Sequence, residues 1–183
     1  MKQANGARWV AVTAVIFGLI AGCSTPPRPK PTPASPSSAP TDPATATRQA
    51  ILTGYAGMWS DLEKDALTSN FQNPTLVHHA TGKALLNLDE NLAVDSRLGL
   101  IGKGHAVLHP LVVSMDPEQN PTSASVADCA DLRNFQKYVA STGTLESNAP
   151  GGMHFVTATL LKENGLWKVS ELTINEVGSC GNS

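Results

Sequence analysis

Met153-His154-Phe155-Val156-Thr157-Ala158-Thr159-Leu160-Leu161-Lys162, then Glu163-Asn164-Gly165, then Leu166 to Val177, is the stretch that decides the fold of this chain. Two runs rich in β-branched and apolar residues flank Asn-Gly, the dipeptide that supplies the positive φ angles of a tight primed turn. The stretch is therefore expected to be an antiparallel hairpin, with strands over 153–162 and 166–177. Working back from it, Gln136 to Ser141 reads as a short strand around Tyr138 and Val139. Ser123 to Cys129 alternates, with Ala124 and Val126 on one face and Ser125 and Ala127 on the other. Ala106 to Met115 is a further strand, part of which Pro110 pushes to a sheet edge. Gly102 and Gly104 punctuate the chain ahead of it, and the Gly102-Lys103-Gly104 run lacks the rest of a phosphate loop, so it reads as a turn.

Before residue 100 the period changes. Asp42-Pro43 is a helix cap followed by a proline at the first helical position. Beyond it Ile51, Tyr55, Met58, Trp59, Leu62 and Ala66 fall on one helical stripe. Asn73-Pro74 repeats the cap signal for a short turn through Leu76 to His79, and Lys83 to Ser96 places Leu85, Leu88 and Leu92 on one face. Helices first and an antiparallel meander after them define an α+β fold, with the N-terminal helices packed on one face of a strongly curved sheet.

The N-terminus carries an address. Lys2 and Arg8 precede an apolar run from Trp9 to Ile20, which is followed by Ala21-Gly22-Cys23. The run is shorter than the roughly 20 residues a spanning helix needs, and small residues close it as they close a secretory signal. A cysteine directly after Ala21-Gly22 resembles the lipobox of bacterial lipoproteins. The resemblance implies a signal peptide over 1–22 and a diacylglyceryl group on the Cys23 thiol. The mature chain would be held on the extracytoplasmic face of the cell membrane by that lipid, and two acyl chains suffice for stable attachment. Residues 23–46 form a spacer. Eight of the thirteen prolines fall in this part of the chain, no large apolar side chain does, and such a segment cannot offset its ordering entropy. In polyproline II form, at about 3.1 Å per residue, it reaches at most roughly 70 Å.

Residues 47–183 are the length of one domain and carry nine Lys and Arg against fourteen Asp and Glu, a net charge of −5. No clustered basic face is present, so no nucleic-acid partner is expected. Once Cys23 is lipidated, Cys129 and Cys180 are the cysteines that remain, and an oxidising compartment favours a disulfide between them over two free buried thiols. About fifty residues would lie in the closed loop, which in the chain-entropy model corresponds to about 4 kcal/mol.

Several motifs of the domain resemble a known group. His79-Ala80-Thr81-Gly82-Lys83-Ala84-Leu85, Gly99 to Gly104, Val126-x-Asp128-Cys129-x-Asp131, Gly165-x-Trp167-x-Val169 and Gly178-x-Cys180 look like lipoproteins of high-GC Gram-positive bacteria. Their domain is similar to the nuclear-transport-factor-two-like, or SnoaL-like, domain, a cone-shaped, cystatin-like roll. The resemblance implies three helices against a bent sheet that encloses a conical pocket, an architecture hosting isomerases, dehydratases, hydrolases and non-catalytic binding modules alike.

Catalysis on such a cone needs a carboxylate of tuned pKa beside a polar partner. Asp128 and Asp131, flanking Cys129, are the weak candidates for the carboxylate, and Tyr138 and His154, on neighbouring expected strands, for the partner. The alternative for both aspartates is a turn cap, or bonding to the backbone around the disulfide. Metal is not expected. His78 and His79 are adjacent and point about 100° apart on a helix, His105 and His109 lie among loop-forming residues, and His154 stands alone in a strand. No cofactor is expected. The sequence thus reads as a membrane-tethered, non-enzymatic module for a small apolar ligand, an envelope protein or a second copy of itself. The alternative is a pocket enzyme of the isomerase, dehydratase or hydrolase type using Asp128 or Asp131.

Overall fold

The computed structural model describes residues 42–72, 74–148 and 151–182, within the compact unit spanning 40–183. The leader, Cys23, the spacer up to residue 41 and the Asn73 cap lie outside the described residues.

Helix α1 spans Pro43–Ala66, and its start follows the cap signal: the Asp42 carboxylate accepts from the Thr45 N–H at 3.1 Å, and Pro43 takes the first turn. Residues 43–46, read from composition as the end of the spacer, are thus helical. The expected stripe is the buried one, with Ile51, Tyr55, Met58 and Trp59 almost wholly inaccessible. A single 3-10 turn, Thr75–His78, stands where a further helix was implied. Asp65 of α1 holds it, accepting from the Leu76 N–H at 3.0 Å and the Thr75 hydroxyl at 3.1 Å. Helix α2 spans Gly82–Leu98 and buries Ala84, Leu88, Leu92 and Asp95.

Among the described residues six strands follow: β1 Leu100–Lys103, β2 Leu111–Asp116, β3 Ser123–Asp131, β4 Gln136–Val139, β5 Met153–Glu163 and β6 Leu166–Val177. The hairpin forms as expected, with Asn164 and Gly165 both at positive φ, 51° and 85°. The main sheet is antiparallel in the order β2-β3-β5-β6, and β1 pairs with β4 in a separate two-stranded sheet. Register shifts between Val112 and Ser114 and between Thr159 and Leu160 mark irregularities that bend the main sheet. Its inner face carries Ala124, Val126 and Ala130 of β3, Val156, Ala158 and Leu160 of β5, and Trp167 and Val169 of β6 against the helices. Close approach fixes the seat of α1 on β6: a Cβ on Gly54 would stand 2.4 Å from the Trp167 carbonyl oxygen. Among the described residues, every buried apolar residue lies between Ile51 and Val169, so the domain carries its own core.

Two further expectations are corrected. Strand β1 falls where the glycines read as punctuation, and Gly102 and Lys103 are its last residues, opposite Lys137 and Gln136 of β4. The strand expected over 106–115 begins only at Leu111, directly after Pro110, which lacks the N–H a ladder needs. Ahead of it the chain makes one antiparallel bridge, Val107 to Asp131. At the C-terminus Cys129 and Cys180 are joined, with a Cα–Cα distance of 5.7 Å. Gly178 N–H to Met153 carbonyl and Phe155 N–H to Ser179 hydroxyl, both 2.8 Å, hold the same tail on β5. Among the described residues, no helix is long and apolar enough to cross a membrane.

Candidate functional site

The helices and the sheet leave a cavity of about 330 Å³ between them. Its apolar wall comes from Trp59 and Leu62 of α1, Leu88 and Leu92 of α2, Phe135 and Ile174. The helical residues are there because the stripes that bury the core also line the space above it. Ile174 is 41 % exposed, which shows where the space opens to solvent.

Polar groups gather on one side of this cavity: Asn91 and Asp95 of α2 and Lys137 of β4. Asp95 lies three residues beyond Leu92 and seven beyond Leu88, so it continues the buried stripe. Its side chain is 10 % exposed, and Lys137 Nζ donates to its Oδ1 at 2.6 Å. Lys137 itself is half-exposed, so the pair joins the dry wall to the surface and ties α2 to the small sheet. None of these three residues was singled out from the sequence. The legible signal was a carboxylate standing on an apolar helical stripe.

The four residues that were singled out do not come together, and neither aspartate lines this cavity. Asp128 and Asp131 lie three apart on β3, which sends their side chains to opposite faces of the sheet. Asp128 follows Ala124 and Val126 inward and is 2 % exposed. The Tyr55 hydroxyl donates to its Oδ2 at 3.0 Å and the His109 N–H to its Oδ1 at 2.7 Å. Burial, with the neighbouring Asp128 charge, pushes the Tyr55 phenol well above its ordinary value. This is a sealed polar contact linking α1 to β3, and through the His109 N–H Asp128 is also bonded to the backbone near the disulfide, as its non-catalytic alternative holds. Asp131 behaves as the backbone-bonded alternative does. It accepts from the Arg133 N–H at 3.0 Å and Nε at 2.9 Å, and the guanidinium covers it. Hydrogen bonding from Arg133 holds its carboxyl down at about 2.

Tyr138 sits on β4 opposite Ile101, with Lys103 Nζ 4.9 Å from its ring centroid. His154 sits on β5 with Nδ1 2.7 Å from the Asn175 carbonyl. Their strands are not neighbours, because β4 left the main sheet to pair with β1. The other histidines are distributed. His79 Nδ1 is 2.7 Å from Asp61, and His105 Nδ1 is 2.8 Å from Glu63. His109 lies against the Cys129 carbonyl at 3.2 Å. Where α2 approaches the end of α1, burial and the nearby Asp65 raise the Asp89 carboxyl above its ordinary value.

No protein-family model matches the chain, and no curated protein matches it by sequence. Solved structures align with it over about two thirds or more of its length. The intermembrane-space region of the chloroplast protein ARC6 aligns with a TM-score of 0.50 at 14 % identity, covering 70 % of this chain and 95 % of that one. An NTF-2-like protein of unknown function from Shewanella oneidensis MR-1 aligns at 0.40 and 11 % identity, covering 68 % and 98 %. A cystatin-like-fold protein of unknown function from Nostoc punctiforme PCC 73102 aligns at 0.39 and 14 % identity, covering 72 % and 91 %. At these identities the likeness concerns the fold alone. The chain is an α+β protein with helices packed on a curved antiparallel sheet, and what it does rests on its own residues.

Proposed function

We propose that this protein is a membrane-tethered extracytoplasmic lipoprotein whose domain binds a small apolar ligand without transforming it. The observation that carries the binding reading is the cavity of about 330 Å³ with an apolar wall and a few convergent polar groups. Its carboxylate, Asp95, is ion-paired to Lys137, while Asp128 and Asp131 are engaged elsewhere by Tyr55, His109 and Arg133. A general base needs a free lone pair aimed at substrate. The location rests on Ala21-Gly22-Cys23 and the proline-rich spacer, and the Cys129–Cys180 bridge fits an oxidising compartment.

Two measurements test this. A neutral naphthylamine dye should brighten on binding, and Leu92→Trp, which fills the cavity, should abolish the signal. Absence of binding, or binding indifferent to that substitution, refutes the cavity as the site. Cys23→Ser should release the chain from the membrane fraction or leave an uncleaved precursor. Normal processing and continued detergent partitioning of that variant refute the anchor.

A further inference from the structure

The cavity's polar side is built for one kind of ligand end. Asp95 is a carboxylate whose side chain is 10 % exposed, and Lys137 Nζ meets it at 2.6 Å. An ammonium carries three N–H donors, so two remain after that bond, and Asn91 adds an amide on the same side. The second Asp95 oxygen has further acceptor capacity. Donors and an acceptor are thus presented together by a pair with no net charge.

Given the binding reading above, on which this rests, we propose that the Asp95–Lys137 pair makes the cavity selective for apolar ligands ending in an uncharged donor–acceptor group, an alcohol above all. A hydroxyl can accept from Lys137 or Asn91 and donate to Asp95 while the ion pair stays closed. An anionic end has to draw Lys137 away, which strands a carboxylate in a largely dry wall, and it meets the charge of Asp95 as well. A cationic end competes with Lys137 for Asp95 and is repelled by the ammonium it displaces. The pair therefore works through rejection of both charged classes, and it does so because Asp95 is buried and Lys137 is not.

Calorimetric titration of residues 24–183, which leave out the lipidated Cys23 and keep the disulfide, with octan-1-ol, octanoate and octylamine tests this at neutral pH. Octanol should bind at least about tenfold more tightly than either charged probe. Asp95→Asn keeps the shape and frees the ammonium, so octanoate should gain about tenfold and overtake octanol. Lys137→Met, on an exposed position, leaves the carboxylate alone and should make octylamine the preferred probe. Equal affinity for octanol and octanoate in the unmodified chain overturns the proposal and leaves the binding reading standing. So does an order of preference unchanged by both substitutions. If none of the three probes binds and the neutral dye also fails, the binding reading itself falls.

Discussion

Removing the Tyr55–Asp128 contact should destabilise the domain by an amount the structure allows us to apportion. Tyr55→Phe leaves the Asp128 Oδ2 without its 3.0 Å donor in a site 2 % exposed. A hydrogen bond to a charged group is worth about 1.5–3 kcal/mol, so the expected loss is about 2 kcal/mol. Asp128→Ala orphans two donors, the Tyr55 hydroxyl and the His109 N–H that reaches Oδ1 at 2.7 Å, and opens a small void. About 4 kcal/mol is expected, out of the roughly 5–15 kcal/mol that hold a domain together. The double variant no longer strands the hydroxyl or the carboxylate, so the two effects should fall short of additivity by about 2 kcal/mol. Asp128→Asn keeps an acceptor for His109 and should cost only about 1 kcal/mol. Urea unfolding followed by tryptophan emission reads all four. A coupling below about 0.5 kcal/mol would refute the reasoning, because two groups bonded to each other in a dry site must be coupled.

Breaking the staple should also be costly: Cys180→Ser, opening a bridge across 51 residues, should remove about 4 kcal/mol and lower the midpoint of thermal unfolding by about 12 °C. A midpoint unmoved by reductant would reject it. Asp131 contributes to acid stability through Arg133. Its folded pKa is depressed to about 2, so its contribution is complete above the ordinary carboxylate range near 4 and is lost as pH falls through about 2. Asp131→Asn should flatten the stability profile in that window, and an unchanged slope there would contradict the assignment. Gly54→Ala places a Cβ 2.4 Å from the Trp167 carbonyl; forcing α1 off β6 should cost about 1–3 kcal/mol in the same urea assay. A neutral result would show that the helix seat is not set by that approach.

The sequence by itself determined whatever depends on neighbours along the chain. The α1 stripe, the Asp42 cap and the Asn164-Gly165 hairpin were legible because helix periodicity, capping and positive-φ turns are local rules. The alternation that buries Ala124 and Val126 was equally plain, and continuing it two residues would have placed Asp128 inside. Glycines hid β1, whose pairing with β4 is a contact across more than thirty residues that no local rule contains. That one pairing drew Tyr138 away from His154 and carried Lys137 to Asp95, replacing an expected site with an unforeseen one. Which faces meet across a curved sheet is decided by packing among distant segments, so the tertiary structure alone made a cavity from core stripes and gave it a charged but neutralised side.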